Sequence, residues 1–223
     1  MTVVTLTGHL GSMGTIDERV AEALGYALVD RELLVEAAQA LGWSEDEVQA
    51  FDERTRGQGG RLTRMLRSFI EHSPAAAGDA EGLSLLAATY AETAAAGMQP
   101  RDQRYIAALT ELMNQVAARD SAVIVGRGGQ AILAGRADTF HIRVVCDLEE
   151  RVRRVAERDS MTENDARVRI VDSDAQREAW HQKYFQTDYR SPDLYHMVVN
   201  SGWLTDAAAS QLIVRLVGGE SEG

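Results

Sequence analysis

The order of elements in the first thirty residues restricts the fold more than any other feature of the chain. Residues 3–6 (VVTL) form a β-branched, apolar run of strand type. The stretch GHLGSMGT, residues 8–15, interrupts it with three glycines. Ile16, Val20, Ala23 and Leu24 then recur at helical spacing up to Gly25, a residue suited to ending a helix. Residues 26–29 read as a second strand that stops at Asp30. Strand, loop, helix and strand in this order make a βαβ unit with a right-handed crossover, and such a unit commits the chain to a parallel sheet.

The remainder is consistent with that commitment. From residue 30 to 119 the pattern is helical, broken by a glycine-rich stretch at 56–60 and by the small, polar segment SPAAAGDAEG at 73–82. Strand patterns return at 122–125, before Gly126-Arg127-Gly128-Gly129, at 140–145, and at 195–199. Helices are expected at 148–158 and 205–216. Between them, Thr162 with Asp165 three residues on resembles a capping box that opens a long polar helix reaching about residue 184. The expected fold is a three-layer α/β domain with a parallel, five-stranded sheet and helices on both faces. A core of 1–30, 120–160 and 194–217 would carry a helical insertion at about 31–119. The arginine-rich, weakly amphipathic segment at about 161–190 would form a mobile lid with few buried apolar contacts.

At 223 residues there is room for one good core. The net charge of −11 argues against broad binding to nucleic acid or anionic lipid, though not against small nucleotides. No stretch approaches a membrane span, and no signal-type segment is expected. Cys146 is the lone cysteine, so no intramolecular disulfide can form and a reducing cytoplasm is the expected compartment. A homodimer is left open. The five histidines are too scattered to suggest a zinc site.

Ligands of such sheets bind beyond the carboxyl ends of the strands, where the 8–15 loop lies. Compared with the phosphate-loop pattern G-x-x-x-x-G-K-[ST], Gly8 fits the first glycine and Thr15 the hydroxyl, while Met13 and Gly14 replace glycine and lysine. Gly8, Gly11 and Gly14 allow backbone amides to converge on an anion, Ser12 and Met13 lie between them, and the following helix adds its positive end. The alternative is a plain strand-to-helix turn. Lys183 is the sole lysine, so none nearby replaces the missing one. Arg127, set among glycines at a strand end, suits bidentate phosphate binding, with a surface ion pair as the alternative. Arg169 and Arg177 share one face of the long polar helix, and either they or a merely solvated face explain its charge.

Several stretches together resemble the cytidylate kinase-like family of P-loop proteins. They are GSMGTIDERVAEALGYALVDRELL, the strand and turn from Ala122 to Arg127, Asp174-Ala-Gln-Arg177 followed by Tyr184, and Val198-Val-Asn200-Ser. The resemblance spans residues 2–217, with the middle matching only as generic helix. It implies a nucleoside monophosphate kinase fold and transfer of the γ-phosphoryl group of ATP to a pyrimidine nucleoside monophosphate, with Mg²⁺. By the same resemblance, residues Gly8, Gly11, Ser12, Met13, Gly14 and Thr15 would hold ATP phosphates. Thr15 would face Mg²⁺, and Arg127, Arg169 and Arg177 would be catalytic. Asp30, Arg31 and Arg104 are assigned to the acceptor, with helix capping the alternative for Asp30 and a solvated face for Arg104. A second reading is a nucleotide-binding or regulatory protein that kept the fold without turnover.

Overall fold

The computed structural model describes residues 1–29 and 100–219. Asp30, Arg31, both loop breaks at 56–60 and 73–82, and most of the expected insertion lie outside the described residues. The chain divides into two compact units, Met1–Leu28 with Ala117–Gly223, and Val29–Val116.

The first unit is built on a five-stranded sheet. Strands β1 (Val3–Gly8), β2 (Ala27–Val29), β3 (Ala122–Val125), β4 (Thr139–Val145) and β5 (Met197–Asn200) lie in the order β2-β3-β1-β4-β5. β1 is central and parallel to both neighbours, with Val3 beside Ala122 on one side and Thr139 on the other. Chain travel outward through β2 and back through β3 to β4 creates a switch point at the carboxyl end of β1, the usual place for a ligand in such sheets.

One face of the sheet is an aliphatic core. Val4 and Leu6 pack with Ile16 and Val20 of α1 (Ile16–Leu24) and with Ala209 and Ile213 of the C-terminal helix, all fully buried. Each of the valine, leucine and isoleucine side chains contributes roughly 1.5–3 kcal/mol by leaving water. Gly25 ends α1 in the left-handed conformation, as the sequence leads one to expect. α2 (Pro100–Arg119) buries Ile106, Leu109 and Met113.

The opposite face is polar. β1 runs two residues beyond the 3–6 run, through Thr7 and Gly8, and the hydroxyls of Thr5 and Thr7 both find partners on this face. Thr5 Oγ1 lies 2.8 Å from His141 Nδ1, and Thr7 donates to Gln130 at 3.1 Å. Gln130 is on the short helix α3 (Gly129–Ile132), whose first residue packs on Thr5.

α4 (Leu148–Asp159) and α5 (Glu163–Phe185) pack together through Val152, Val155, Ala166 and Ile170, with Leu10 of the glycine loop against them. Thr162 caps α5 as expected, its hydroxyl accepting from the Asp165 amide at 3.1 Å. α5 buries Ala166, Ile170, Ser173, His181 and Tyr184, and the rest of its 23 residues are partly or fully exposed. The last helix, α6 (Asp206–Gly218), is capped by Thr205, whose hydroxyl accepts from Ala208 N at 3.2 Å.

Candidate active site

Three segments meet at the carboxyl end of β1: the 8–15 loop, the turn after β3, and the C-terminal part of α5 with the residues that follow it. The loop is held from beneath. Ser12 is fully buried, and its hydroxyl donates to His9 O at 2.9 Å and Val144 O at 3.2 Å. Ser201, just past β5, donates to Ser12 O at 2.6 Å and is itself held by Arg154. Gly11 is left-handed (φ 84°), and a side chain there would press on Arg151 O and Val155. Met13 folds inward on the aliphatic core, its methyl placed where a side chain on Gly8 would press against it. Its side chain is therefore spent on packing.

The helix end of the loop carries a contact that the sequence did not announce. Asp206, in the first turn of α6, accepts from Thr15 N at 2.8 Å and from Thr15 Oγ1 at 3.0 Å. Arg19 Nε donates to the same hydroxyl at 3.0 Å. Gly14 is left-handed (φ 58°), and any β-carbon there would overlap the Asp206 carboxylate. The absent loop lysine thus has a steric explanation: its place abuts an aspartate.

The other end of the loop is basic. His9 Nε2 lies 3.0 Å from the hydroxyl of buried Tyr189. Burial chiefly holds the His9 imidazole down to about pH 4; Asp174 opposes this, while Arg151, Arg177 and Arg143 reinforce it. These three arginines come from α4, α5 and β4. Arg151 is buried and paired with Asp174 at 2.9 Å. The guanidinium of Arg143 lies over the Tyr189 ring at 5.9 Å and donates to Arg190 O at 2.7 Å. Tyr189 also stacks on His181 at 4.7 Å, and burial holds His181 near pH 4 as well. Around this centre several buried polar atoms lack a hydrogen-bond partner, among them Gln130 Nε2, Arg151 Nε and Trp180 Nε1, all donors. A polyanion supplies what such donors require.

Arg127 sits in the turn after β3 with φ 53°, between Gly126 (φ 74°) and Gly128 (φ 71°), so three successive residues are left-handed. For arginine this costs about 1–2 kcal/mol, and strain of this kind gathers at functional sites. Leu6 O accepts from Gly126 N at 2.8 Å and ties the turn to β1.

The lid arginines separate. Arg177 joins the centre around His9, with its charge acting on His9, His181 and Tyr189. Arg169 is exposed and pairs with Asp159 at 2.5 Å, and Arg167 pairs with Glu149. Arg104 lies on α2, and Asp30 and Arg31 lie outside the described residues. Arg143 and Arg151 were not singled out from the sequence. Their only local signal is position: Arg143 is near the carboxyl end of a strand, and Arg151 is an apolar-face arginine on α4.

A central parallel sheet with a glycine loop at its switch point, arginines around that loop and helices on both faces defines an α/β protein of kinase-like fold. The profile of the cytidylate kinase-like family matches residues 3–202, and the chain belongs to that family. An uncharacterized protein from Eubacterium ventriosum has the same fold, with a TM-score of 0.67 over 98% of this chain and 99% of that one at 17% identity. Shikimate kinase from Acinetobacter baumannii, solved with shikimate, aligns over 100% of this chain and 96% of its own at 12% identity, with a TM-score of 0.48. Uronate isomerase from Corynebacterium glutamicum is 29% identical over 98 residues, 44% of this chain, and the chain spans 19% of that curated relative's length. Among the described residues, no helix is long and apolar enough to cross a membrane, and no group of three or more His, Cys, Asp or Glu residues is placed to hold a metal ion.

Proposed function

We propose that the protein transfers the γ-phosphoryl group of ATP to a nucleoside monophosphate, a pyrimidine nucleotide by family likeness, with Mg²⁺. The observation that carries this reading is the convergence of Arg143, Arg151 and Arg177 on His9, in the loop that leaves the central strand. The buried donors without partners around it fit a phosphate chain. In phosphoryl transfer the protein's work is positioning and charge stabilisation. Loop amides from Gly8 to Thr15 hold donor phosphates, and Arg143 and Arg177 neutralise the charge on the transferred group. Arg127 serves as the planar fork on the β3 side, with Arg169 recruited when the lid closes. Asp174 keeps Arg151 in place, and His9, neutral near pH 7, donates or accepts a hydrogen bond without adding charge. Mg²⁺, when bound, would neutralise phosphate charge, with the Thr15 hydroxyl as the loop's oxygen donor. Asp30, Arg31 and Arg104 belong to the acceptor side in this reading. The α5 segment is the lid, and the cytoplasm, which is reducing, is the compartment that suits Cys146.

The test is incubation with ATP, Mg²⁺ and each nucleoside monophosphate in turn, with chromatography for diphosphates. Formation of a nucleoside diphosphate supports the proposal. A second reading, nucleotide binding without turnover, is favoured by one observation: Asp206 already engages the Thr15 amide and hydroxyl. Nucleotide binding with no diphosphate from any acceptor selects it.

A further inference from the structure

The two ends of the 8–15 loop carry opposite charge. At His9 the neighbours are Arg143, Arg151 and Arg177, partly offset by Asp174. At Thr15 they are Asp206, with Asp17 and Glu18 in the first turn of α1, and Arg19 as the cation. The Thr15 side chain makes no cap of its own on α1; the Asp206 carboxylate supplies the anion that the helix start attracts. It also lies over Gly14, in the space where the phosphate-loop pattern has its lysine. Resting on the phosphoryl-transfer reading of this loop, we infer that Asp206 is an autoinhibitory carboxylate, an internal stand-in that nucleotide phosphate must displace from Thr15. Two anions cannot share one amide and one hydroxyl, so the free loop is self-satisfied and binding has to break a contact already made. The contact is exposed and is made by the Asp206 side chain, so displacement needs only its carboxylate to turn away, with α6 still packed on α1 through Ala209 and Ile213.

Calorimetric titration of the wild type, Asp206→Asn and Asp206→Ala with inorganic pyrophosphate and with ATP plus Mg²⁺ tests this. Both variants should bind both probes at least about threefold more tightly, the scale of one helix-terminus charge. Unchanged or weaker binding overturns the inference, the first leaving Asp206 as a structural cap and the second making it part of the ligand's own site. The wild type supplies a check that needs no folded variant: pyrophosphate should shift the carboxyl ¹³C resonance of Asp206 together with the Thr15 amide. A Thr15 shift with Asp206 unmoved overturns the inference and leaves the phosphoryl-transfer reading standing. Failure of the wild type and of both variants to bind either probe sinks both.

Discussion

The ring of Phe185 lies so close over the α-carbon of Gly128 that a β-carbon there would overlap it. This contact joins the end of α5 to the turn that carries Arg127, and Trp180 closes over the same glycine. Substitution tests the joint directly. Gly128→Ala meets both the ring and a left-handed backbone at φ 71°, so it should destabilise by about 2–4 kcal/mol in urea unfolding. Phe185→Ala should relieve the steric part when the two changes are combined, making the double variant less unstable than the sum of the singles. Simple additivity would mean that the ring and the turn do not meet.

Arg127 separates stability from function. Arg127→Ala should lower kcat/KM, or nucleotide affinity if turnover is absent, by at least about tenfold, and Arg127→Lys should recover only part. Arg127→Gly should lose the same function yet unfold at higher denaturant, because glycine relieves the strain at φ 53°, worth about 1 kcal/mol. Arg215→Ala on α6 is the control and should leave nucleotide handling unchanged. A glycine variant less stable than wild type would show that the side chain holds the fold.

The pair of Arg151 and Asp174 couples α4 to α5 beside His9. Arg151→Met keeps the apolar stem and removes the charge, leaving a partly exposed carboxylate unmatched. A stability loss of about 1–3 kcal/mol is expected, together with weaker ATP binding. Arg153→Met, at an exposed pair on the outer face of α4, should change stability by less than about 1 kcal/mol and leave ATP binding alone. Equal effects from the two would remove Arg151 from the site.

Three imidazoles set the acid limit. His9, His141 and His181 are each held at about pH 4 in the folded chain, chiefly by burial. The unfolded chain protonates them near pH 6.5 and so binds more protons between those values. Stability should therefore be complete above about pH 6.5 and fall as pH drops toward 4, by no more than roughly 3 kcal/mol per histidine. Urea midpoints at half-unit steps measure this. His141→Gln, which keeps a polar group near Thr5, should flatten the slope, and an unchanged slope would mean that His141 is protonated when folded.

What the sequence determined by itself was local. The alternation of β-branched runs with glycine turns defined strand order in the chain, Gly25 ended α1, and Thr162 with Asp165 began α5, each within a few residues of its partner. Motifs in sequence also pointed to the family and to the loop, the Arg127 turn and Arg177. Tertiary structure decided which charges meet. Arg143 and Arg151 face His9 only because β4 lies beside β1 and α4 packs on α5. Asp206 reaches Thr15 across 191 positions of chain because α6 packs beside α1. Periodicity and capping report interactions across one turn of helix or one pleat of strand, so contacts made by folding distant segments together leave no pattern in the sequence to read.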